Sequence, residues 1–258
     1  MKELVRNIYK YRELIWALAL KELTVRYKRS ILGFLWALLN PALFMLVLTL
    51  VFAVILPQAI YHYAIFLLST LVPWTFFSQS ASYGVESIVL NADLIKKVSV
   101  PKIVFPLAAV TSNLINFFLS LIPLAIIVLA MRHPFYWMWV LLPIPILALT
   151  IFSLGFSLFF ATVNVYYRDI SHIVQIVLNL WFYVTPIIYK IDSFPPKYRW
   201  IFRFNPIIYV LNDFRMFVYW GQIPTRWSIF GSFLCAGIAF AIGYSVFRKQ
   251  ERDFVFYL

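Results

Sequence analysis

A basic cluster stands immediately before the first long apolar segment of the 258-residue chain. It consists of Arg26, Lys28 and Arg29, with Tyr27 among them. Where a chain enters a membrane, such a cluster commonly fixes the orientation of the protein and binds anionic lipid headgroups. The same cations could instead contact the phosphates of a lipid-linked substrate. Both roles are open from these residues alone.

Neutral polar side chains form stripes at helical spacing inside two apolar segments. Their members are His172, Gln175, Asn179 and Tyr183 in one segment, and Asn113, Asn116 and Ser120 in the other. Such residues commonly form hydrogen bonds between membrane helices. They could also line a path for a polyhydroxylated substrate, with aromatic rings stacking on its sugars. The nearby aromatic residues, each also explained by simple packing, are Trp36, Phe44, Trp181, Phe182 and Tyr183.

The usual motifs of catalysis and nucleotide binding are missing from the sequence. There is no GxxxxGK[ST] loop, no HExxH and no GxSxG with partners. The three histidines are scattered, and the single cysteine, Cys235, excludes an internal disulfide and a cysteine zinc site. The apolar segments also lack the buried carboxylate that ion-coupled transporters use. We therefore expect no enzyme and no cofactor on this chain, and an energy source on a nucleotide-hydrolysing partner.

The composition places the chain in a membrane. It is 63% hydrophobic and only 12% charged, with a mean hydropathy of +0.86. Soluble domains are about half apolar and about a quarter charged, so a soluble enzyme is excluded. The net charge of +12 fits an anionic membrane surface better than nucleic acid in so apolar a chain.

The predicted fold is all-α, a single transmembrane domain over residues 1–258 with six spanning helices. A span needs about 20 apolar residues. The windows that qualify, none with an acidic residue, lysine or arginine, are Phe34–Leu56, Tyr61–Ser82, Ile103–Ala130, Phe135–Tyr166, Ile170–Tyr189 and Trp227–Phe247. The third and fourth are longer than necessary. Kinks are expected there at Pro106, Pro123, Pro143 and Pro145.

The distribution of basic residues predicts the orientation. Lysine and arginine are more numerous in the terminal tails and the loops on their side than in the opposite loops. The positive-inside rule therefore places both termini in the cytoplasm. Within residues 1–33, the apolar stripe Ile8, Tyr11, Ile15 and Leu18 predicts an amphipathic interface helix rather than a signal peptide or a solvated tail.

Two loops carry predicted structure. In residues 83–102 a short amphipathic helix before Pro101 would suit docking to a soluble partner, although a plain solvated loop is the alternative. In residues 190–226, Asn205 and Pro206 form a helix start and the following run continues to Gly221. We expect two short interfacial or re-entrant helices there, with a seventh span as the weaker alternative.

Several motifs, in order along the whole chain, resemble the membrane subunits of polysaccharide-exporting ABC transporters. Each piece is weakly specific alone, and the set is strongly specific. The matching segments are 26–36 with Asn40-Pro41, 91–97 with 100–106, 164–170, 185–189 with Asn205-Pro206, and 247–254. The likeness is greatest to the O-antigen type because the chain has no large extra domain.

The resemblance implies an assembly in the bacterial inner membrane. Such subunits form homodimers with two ATP-binding subunits, which hold ATP and Mg²⁺ on the cytoplasmic side. They export lipid-linked glycans through a channel between the two copies. Exporters of teichoic acid, capsule or a small lipid or drug share this architecture. A secondary transporter or channel without an ATPase is the other alternative.

The resemblance also assigns roles to residues of this chain. Arg26, Lys28 and Arg29 would receive the substrate headgroup. Spans one and five would line the channel, through Trp36, Asn40, Phe44, Gln175, Asn179, Trp181, Phe182 and Tyr183. The helix that couples to the ATPase would contain Asn91, Asp93, Leu94, Ile95, Lys96 and Lys97. The outer gate would contain Tyr198, Trp200, Phe204, Tyr209 and Phe214.

Overall fold

The computed structural model describes residues 6, 8–26, 35–51, 60–193 and 195–258. These residues form helices and contain no strand, which confirms the all-α prediction for the described part of the chain. The helices are α1 (Arg12–Arg26), α2 (Trp36–Leu50), α3 (Tyr63–Glu86), α4 (Ala92–Lys97), α5 (Val104–Ala130), α6 (Pro143–Tyr166), α7 (Ile170–Val184), α8 (Trp200–Arg203), α9 (Ile207–Arg215), α10 (Arg226–Gln250) and α11 (Phe254–Tyr257). Short 3₁₀ turns lie at Val89–Asn91, Trp137–Leu141, Ile191–Ser193 and Pro196–Tyr198, and a π-helical turn at Met216–Trp220.

Four helical segments within the described residues are long and apolar enough to cross a bilayer. They are α3, α5, α10 and the segment Trp137–Tyr166, which joins a 3₁₀ turn to α6. The helices α2 and α7 have 15 residues each. At 1.5 Å per residue each is about 22 Å long, short of a hydrocarbon core of about 30 Å. The predicted count of six spans is therefore not confirmed.

The fifth predicted span is shorter than expected because a proline ends it. α7 ends at Val184 rather than at Tyr189. Thr185 has φ −95° and ψ 133°, an extended conformation. A residue that precedes a proline is pushed out of the helical region, and Pro186 follows directly.

Most of the prolines predicted to kink the long spans lie where a helix tolerates them. Pro143 is the first residue of α6 and Pro145 follows in its first turn. Pro106 lies in the first turn of α5. The amide hydrogens of a first turn have no partner within the helix, so a proline there removes no hydrogen bond. Pro123 is the proline in the interior of α5.

Small residues let the last long helix lie directly against α6. A side-chain carbon placed on Gly243 of α10 would be 2.0 Å from the carbonyl oxygen of Gly155 in α6. One placed on Gly155 would be 2.4 Å from the backbone nitrogen of Phe240. Membrane helices approach this closely only through small residues. The pair Gly155 and Gly243 therefore sets the distance between the two helices.

We expect Gly243→Val to destabilise the protein strongly. The valine side chain meets backbone atoms of α6, which cannot rotate away, so the helices must separate at a cost of about 3 kcal/mol. The temperature at which the detergent-purified protein loses its monodisperse gel-filtration peak measures this. Gly237→Val on the same helix is the control, because nothing lies within 4 Å of a side-chain carbon there. Equal melting temperatures for the two variants would contradict the close approach.

The first helix is amphipathic, as its spacing predicts. Ile15, Leu18, Ala19 and Leu23 are buried, and α1 packs against α5. Arg12 and Glu13, by contrast, are largely exposed. A face of this kind, with its apolar side on the protein and its charges outside, suits a helix lying along the membrane surface.

The end of the chain folds back beside α4. Phe254 of α11 is buried, and its ring lies 5.3 Å from that of Phe247. The ammonium group of Lys102, just before α5, donates to the carbonyl oxygen of Glu251. Burial lowers the pKa of Lys102, and Glu251 and Asp253 partly offset that shift. The tail therefore joins α4 and the start of α5 into one surface.

Candidate functional site

The second half of α3 has an exposed face that is entirely polar. The positions from 75 to 86 that are not buried are Thr75, Ser78, Gln79, Ser82, Tyr83 and Glu86. The remaining six positions of that stretch are buried, and among them are the bulky Phe76 and Phe77. Polar groups that face lipid without partners are costly. Thr75 and Ser78 donate to backbone carbonyl groups of α3 itself, but the amide of Gln79 and the carboxyl group of Glu86 favour contact with water, a polar ligand or another polar protein surface over contact with lipid.

A cavity of about 430 Å³ lies on one side of this face. It is enclosed by α2, α3 and α5, which contribute both amides and aromatic rings. Its polar lining consists of Asn40, Thr75, Gln79, Tyr83, Asn113, Asn116 and Ser120. Phe44, Phe76 and Phe117 contribute rings. The stripe predicted from residues 113, 116 and 120 thus lines a cavity.

A second cavity of about 400 Å³ lies on the other side, between α3 and α7. Its lining is Ser78, Gln79, Ser82, Tyr83, Glu86, Gln175, Leu178 and Asn179. Gln79 and Tyr83 line both cavities, so the two cavities adjoin along α3, and we call them together the polar groove. It brings together four residues predicted to line a path, Asn40, Phe44, Gln175 and Asn179.

On the α5 side of the polar groove, two polar side chains donate hydrogen bonds to backbone carbonyl groups of α5 itself. Asn113 Nδ2 donates to the carbonyl oxygen of Ala109 at 2.9 Å, and Ser120 Oγ donates to that of Asn116 at 2.8 Å. The side-chain oxygen of Asn116 has no hydrogen-bond partner among the described residues.

Much of α7 is uncovered within the described structure. Only Val174 and Leu178 of this helix are buried. Gln175 and Asn179 face the polar groove, whereas Ile176 and Leu180 are about 60% exposed. Tyr183, also predicted to line the path, is exposed at the far end. The helix thus offers a polar edge and an apolar edge side by side.

The two aromatic residues before Tyr183 pack within the protein. The indole nitrogen of Trp181 donates to Asn205 Oδ1 at 2.9 Å, and its ring centroid lies 5.5 Å from that of Phe77. The ring of Phe182 lies 5.9 Å from that of Trp74. Trp36 is half-buried at the start of α2, and Phe44 is exposed and lines the first cavity.

The predicted headgroup cluster falls mostly outside the described residues. Lys28 and Arg29 belong to the part that the structure does not describe, as does the side chain of Arg26, the last residue of α1. An apolar cavity of about 290 Å³ lies nearby between α1, α3 and α5. Lys21 and Tyr83 both line it, so Tyr83 borders the polar groove and this cavity.

The predicted coupling helix is α4. Asp93, Lys96 and Lys97 are exposed, Asn91 and Leu94 are half-buried, and Ile95 is buried. The acidic residue lies in the first turn and the lysines in the last turn, which suits the helix dipole. Ile95 therefore anchors α4, and its charges remain free to face a partner.

The predicted outer helices are present, with one residue placed differently. α9 and the π-helical turn cover residues 207–220 and stop at Gly221, whose φ of 59° favours glycine. Tyr198, Trp200 and Phe204 are exposed, and Tyr209 is half-buried. Phe214, however, is only 1% exposed, and its ring packs against Phe117. It therefore belongs to the core and not to the outer surface.

Asn205 connects the outer helices to α7. Its side-chain oxygen accepts from the amide of Ile207 at 3.4 Å, and α9 begins after Pro206, one residue later than predicted. Its amide nitrogen donates to Thr185 Oγ1 at 3.0 Å, and Trp181 donates to its oxygen. The oxygen and the nitrogen of the Asn205 side chain thus both form hydrogen bonds, which connect the start of α9 to the end of α7.

Two charged residues of α9 are buried in a polar network that composition does not predict. Asp213 accepts from Ser228 Oγ at 2.5 Å and from Ser232 Oγ at 2.6 Å. The guanidinium group of Arg215 donates to the carbonyl oxygens of Pro186 and Ile187 and to Thr70 Oγ1, at distances from 2.8 to 3.0 Å. It also lies 3.8 Å from the ring centroid of Phe66.

A histidine pair joins the start of α3 to the outer helices. The Nδ1 atoms of His62 and His133 are 3.1 Å apart, and His133 Nε2 is 3.0 Å from the carbonyl oxygen of Tyr219. That carbonyl can only accept, so a neutral His133 must accept from His62 at Nδ1. Burial, and then the neighbouring His133, lowers the pKa of His62.

Comparison with known proteins identifies the family. The profile described as "ABC-2 type transporter" matches residues 13–219. The chain belongs to the ABC-2 type transporter family. The match includes α2 to α9, and therefore every helix that lines the polar groove. This confirms the resemblance found in the sequence motifs and makes the chain a multi-pass membrane permease.

Curated relatives of this ABC-2 chain cover nearly its whole length. It is 33% identical over 256 residues to "O-antigen export system permease protein RfbA" of Myxococcus xanthus, covering 98% of each chain. It is 34% identical over 247 residues to the protein of the same name from Klebsiella pneumoniae, covering 94% of this chain and 93% of the relative. "Polysialic acid transport protein KpsM" of Escherichia coli is 26% identical over 239 residues, covering 92% and 93%.

Proposed function

We propose that the chain is the permease subunit of an ATP-driven exporter that moves a polyprenyl-pyrophosphate-linked polysaccharide, such as an O antigen, across the bacterial inner membrane. The observation that carries the proposal is the polar groove, two adjoining cavities lined by amides, hydroxyls and aromatic rings. Amide and hydroxyl groups both donate to and accept from sugar hydroxyls. The names of the curated O-antigen relatives support the same substrate class.

The channel would form between two copies of this chain. The polar groove is open on one side, and α7 exposes an apolar edge beside its polar one. A second copy that packs on the apolar edge would bury it and face the two grooves toward each other. The closed path would then be lined mainly by neutral polar groups, separated from lipid.

Energy would come from a separate ATPase, which holds ATP and Mg²⁺. The motions of that partner would reach the groove through α4, because α4 follows α3 after a short turn, and α3 supplies Gln79 and Tyr83 to both cavities. Movement of α4 would therefore shift the groove-lining face of α3. In this proposal α4, α11 and both termini would lie on the cytoplasmic side, as the excess of basic residues predicts.

An export assay tests the proposal. In a strain that makes an O-antigen-type glycan but lacks its permease, this chain and its ATPase should restore surface glycan, and the chain alone should not. Purified without the ATPase, it should hydrolyse no ATP. Export that persists when the ATPase is deleted would overturn the ATP-driven mechanism in favour of secondary transport or a channel.

Charge reversal on α4 tests the docking of the ATPase. The double substitution Lys96→Glu and Lys97→Glu should reduce co-purification of the ATPase by about tenfold, because both lysines are exposed on the predicted coupling helix. Lys197→Glu, an exposed lysine on the predicted outer side, is the control and should co-purify normally. Normal complex formation by the α4 variant would remove α4 as the main docking element.

A further inference from the structure

The lining of the polar groove has one charged group among its described residues. The polar side chains of both cavities are amides, hydroxyls and a phenol, with the exception of Glu86. No described lysine or arginine lines either cavity. We propose that the polar groove selects an uncharged glycan over a polyanionic one, and that Glu86 is a specificity-determining residue. This inference rests on the proposed function, and it names the substrate class more narrowly.

The position of Glu86 supports this role. It is the last residue of α3, half-buried, and it lines the groove together with Gln175 and Asn179. Within the described part of the chain it forms no ion pair. Its carboxylate is therefore not neutralised by a fixed cation there, and it acts on whatever occupies the groove.

A polyanion would meet this carboxylate at every repeat. Electrostatic repulsion is stronger in a partly buried cleft than in water because the effective dielectric constant is lower. A charged polymer also loses water of hydration when it enters, and no described cation of the groove compensates for that desolvation cost. A neutral glycan avoids both costs, and its hydroxyls find donors and acceptors in side chains such as Gln79 and Asn40.

The anionic part of the proposed substrate is restricted to its lipid end. Lys21 lines the neighbouring apolar cavity and not the groove, and the predicted headgroup residues Arg26, Lys28 and Arg29 precede α2 in the chain. A pyrophosphate at the lipid end would thus be bound by cations outside the groove, while the sugar chain follows a lining in which the described residues include no cation. The polymer named for the polysialic acid relative, by contrast, has a carboxylate on each sugar.

Transport by proteoliposomes tests the proposal. They contain the complex of this chain with its ATPase, and either of two labelled lipids with the same polyprenyl-pyrophosphate anchor. One lipid has a neutral oligomannose chain, and the other an oligosialic acid chain of equal length. The ATP-dependent rate for the neutral lipid should exceed that for the anionic lipid by about tenfold.

Substitutions of Glu86 then test whether this residue causes the selectivity. Glu86→Lys should raise the ratio of the anionic rate to the neutral rate by about tenfold, and Glu86→Gln by less, because it removes the negative charge without adding a positive one. Glu13→Lys, at an exposed acid on α1, should leave the ratio unchanged.

The possible outcomes distinguish a failure of the proposed selectivity from a failure of the proposed export function. Equal wild-type rates for the two lipids would overturn the selectivity and leave the proposed export function in place. A wild-type preference that Glu86→Lys does not alter would overturn the assignment to Glu86. ATP-dependent transport of neither lipid, by a complex that hydrolyses ATP, would overturn the proposed function and the inference with it.

Discussion

Replacing Arg215 with methionine is expected to destabilise the protein by at least about 3 kcal/mol. The side chain is 7% exposed and donates to Thr70 and to the carbonyl oxygens of Pro186 and Ile187. Methionine keeps the contact with Phe66 but leaves two buried carbonyl groups without this donor. A buried acceptor that loses its partner costs about 1–3 kcal/mol, so the two together account for the loss.

The loss should appear as a lower melting temperature, by roughly 10 °C for a chain of this size. Arg215→Lys should recover only part of it, because an ammonium group cannot reproduce the planar fork that reaches several acceptors. Arg203→Met is the matched control, since Arg203 is exposed on the neighbouring helix α8. If Arg215→Met melts like wild type, Arg215 does not hold the end of α7 in place.

The burial of Arg215 is a feature that local sequence signals do not predict. A charge in a short aromatic-rich helix predicts a position at the headgroup level. Its burial depends instead on carbonyl groups freed about thirty residues earlier, where Pro186 ends α7. Chain composition contains no information on which distant backbone groups need a donor. The break at Pro186 has a local signal, although the predicted span continued past it to Tyr189, whereas its hydrogen-bond partner Arg215 has none.

The positions of the helices were largely predictable because hydrophobic runs and helix-starting residues are local signals. The predicted helix at residues 207–220 and the amphipathic first helix are both present, with α7 shorter than expected. Which face each helix buries is not local. Trp181 and Phe182 adjoin Tyr183 in sequence, yet their rings pack inward while Tyr183 is exposed. The orientation of α7 about its own axis also decides which of its residues reach the groove.

The polar face of α3 had a signal that the sequence analysis missed. Polar residues recur at positions 75, 78, 79, 82, 83 and 86, a helical spacing inside an apolar span. The spacing predicts a polar stripe, but it does not distinguish a stripe that bonds to another helix from one that lines a cleft. The structure makes that distinction, because each of these positions remains accessible while the other side of the helix is buried.

The largest effect on transport is expected from removing one amide from each of the two helices that line the second cavity, Gln79 of α3 and Asn179 of α7. The double substitution Gln79→Leu and Asn179→Leu keeps side-chain size close to wild type and removes donors and acceptors from α3 and α7. Each lost hydrogen bond to a passing sugar is worth about 1 kcal/mol, and the proposed homodimer would lose both amides twice. Since about 1.4 kcal/mol is a factor of ten in rate, we expect export to fall by at least about tenfold.

Surface glycan in the complementation strain measures this effect, and co-purification of the ATPase shows whether assembly is intact. Asn212→Leu is the matched control, because Asn212 is an exposed amide on α9 that does not line the groove. Reduced export with normal assembly would place the glycan in the groove, since leucine at a lipid-facing position would be harmless. Normal export by the double variant would mean that the polymer takes another path, and the neutral lining would then have to be explained by helix packing alone.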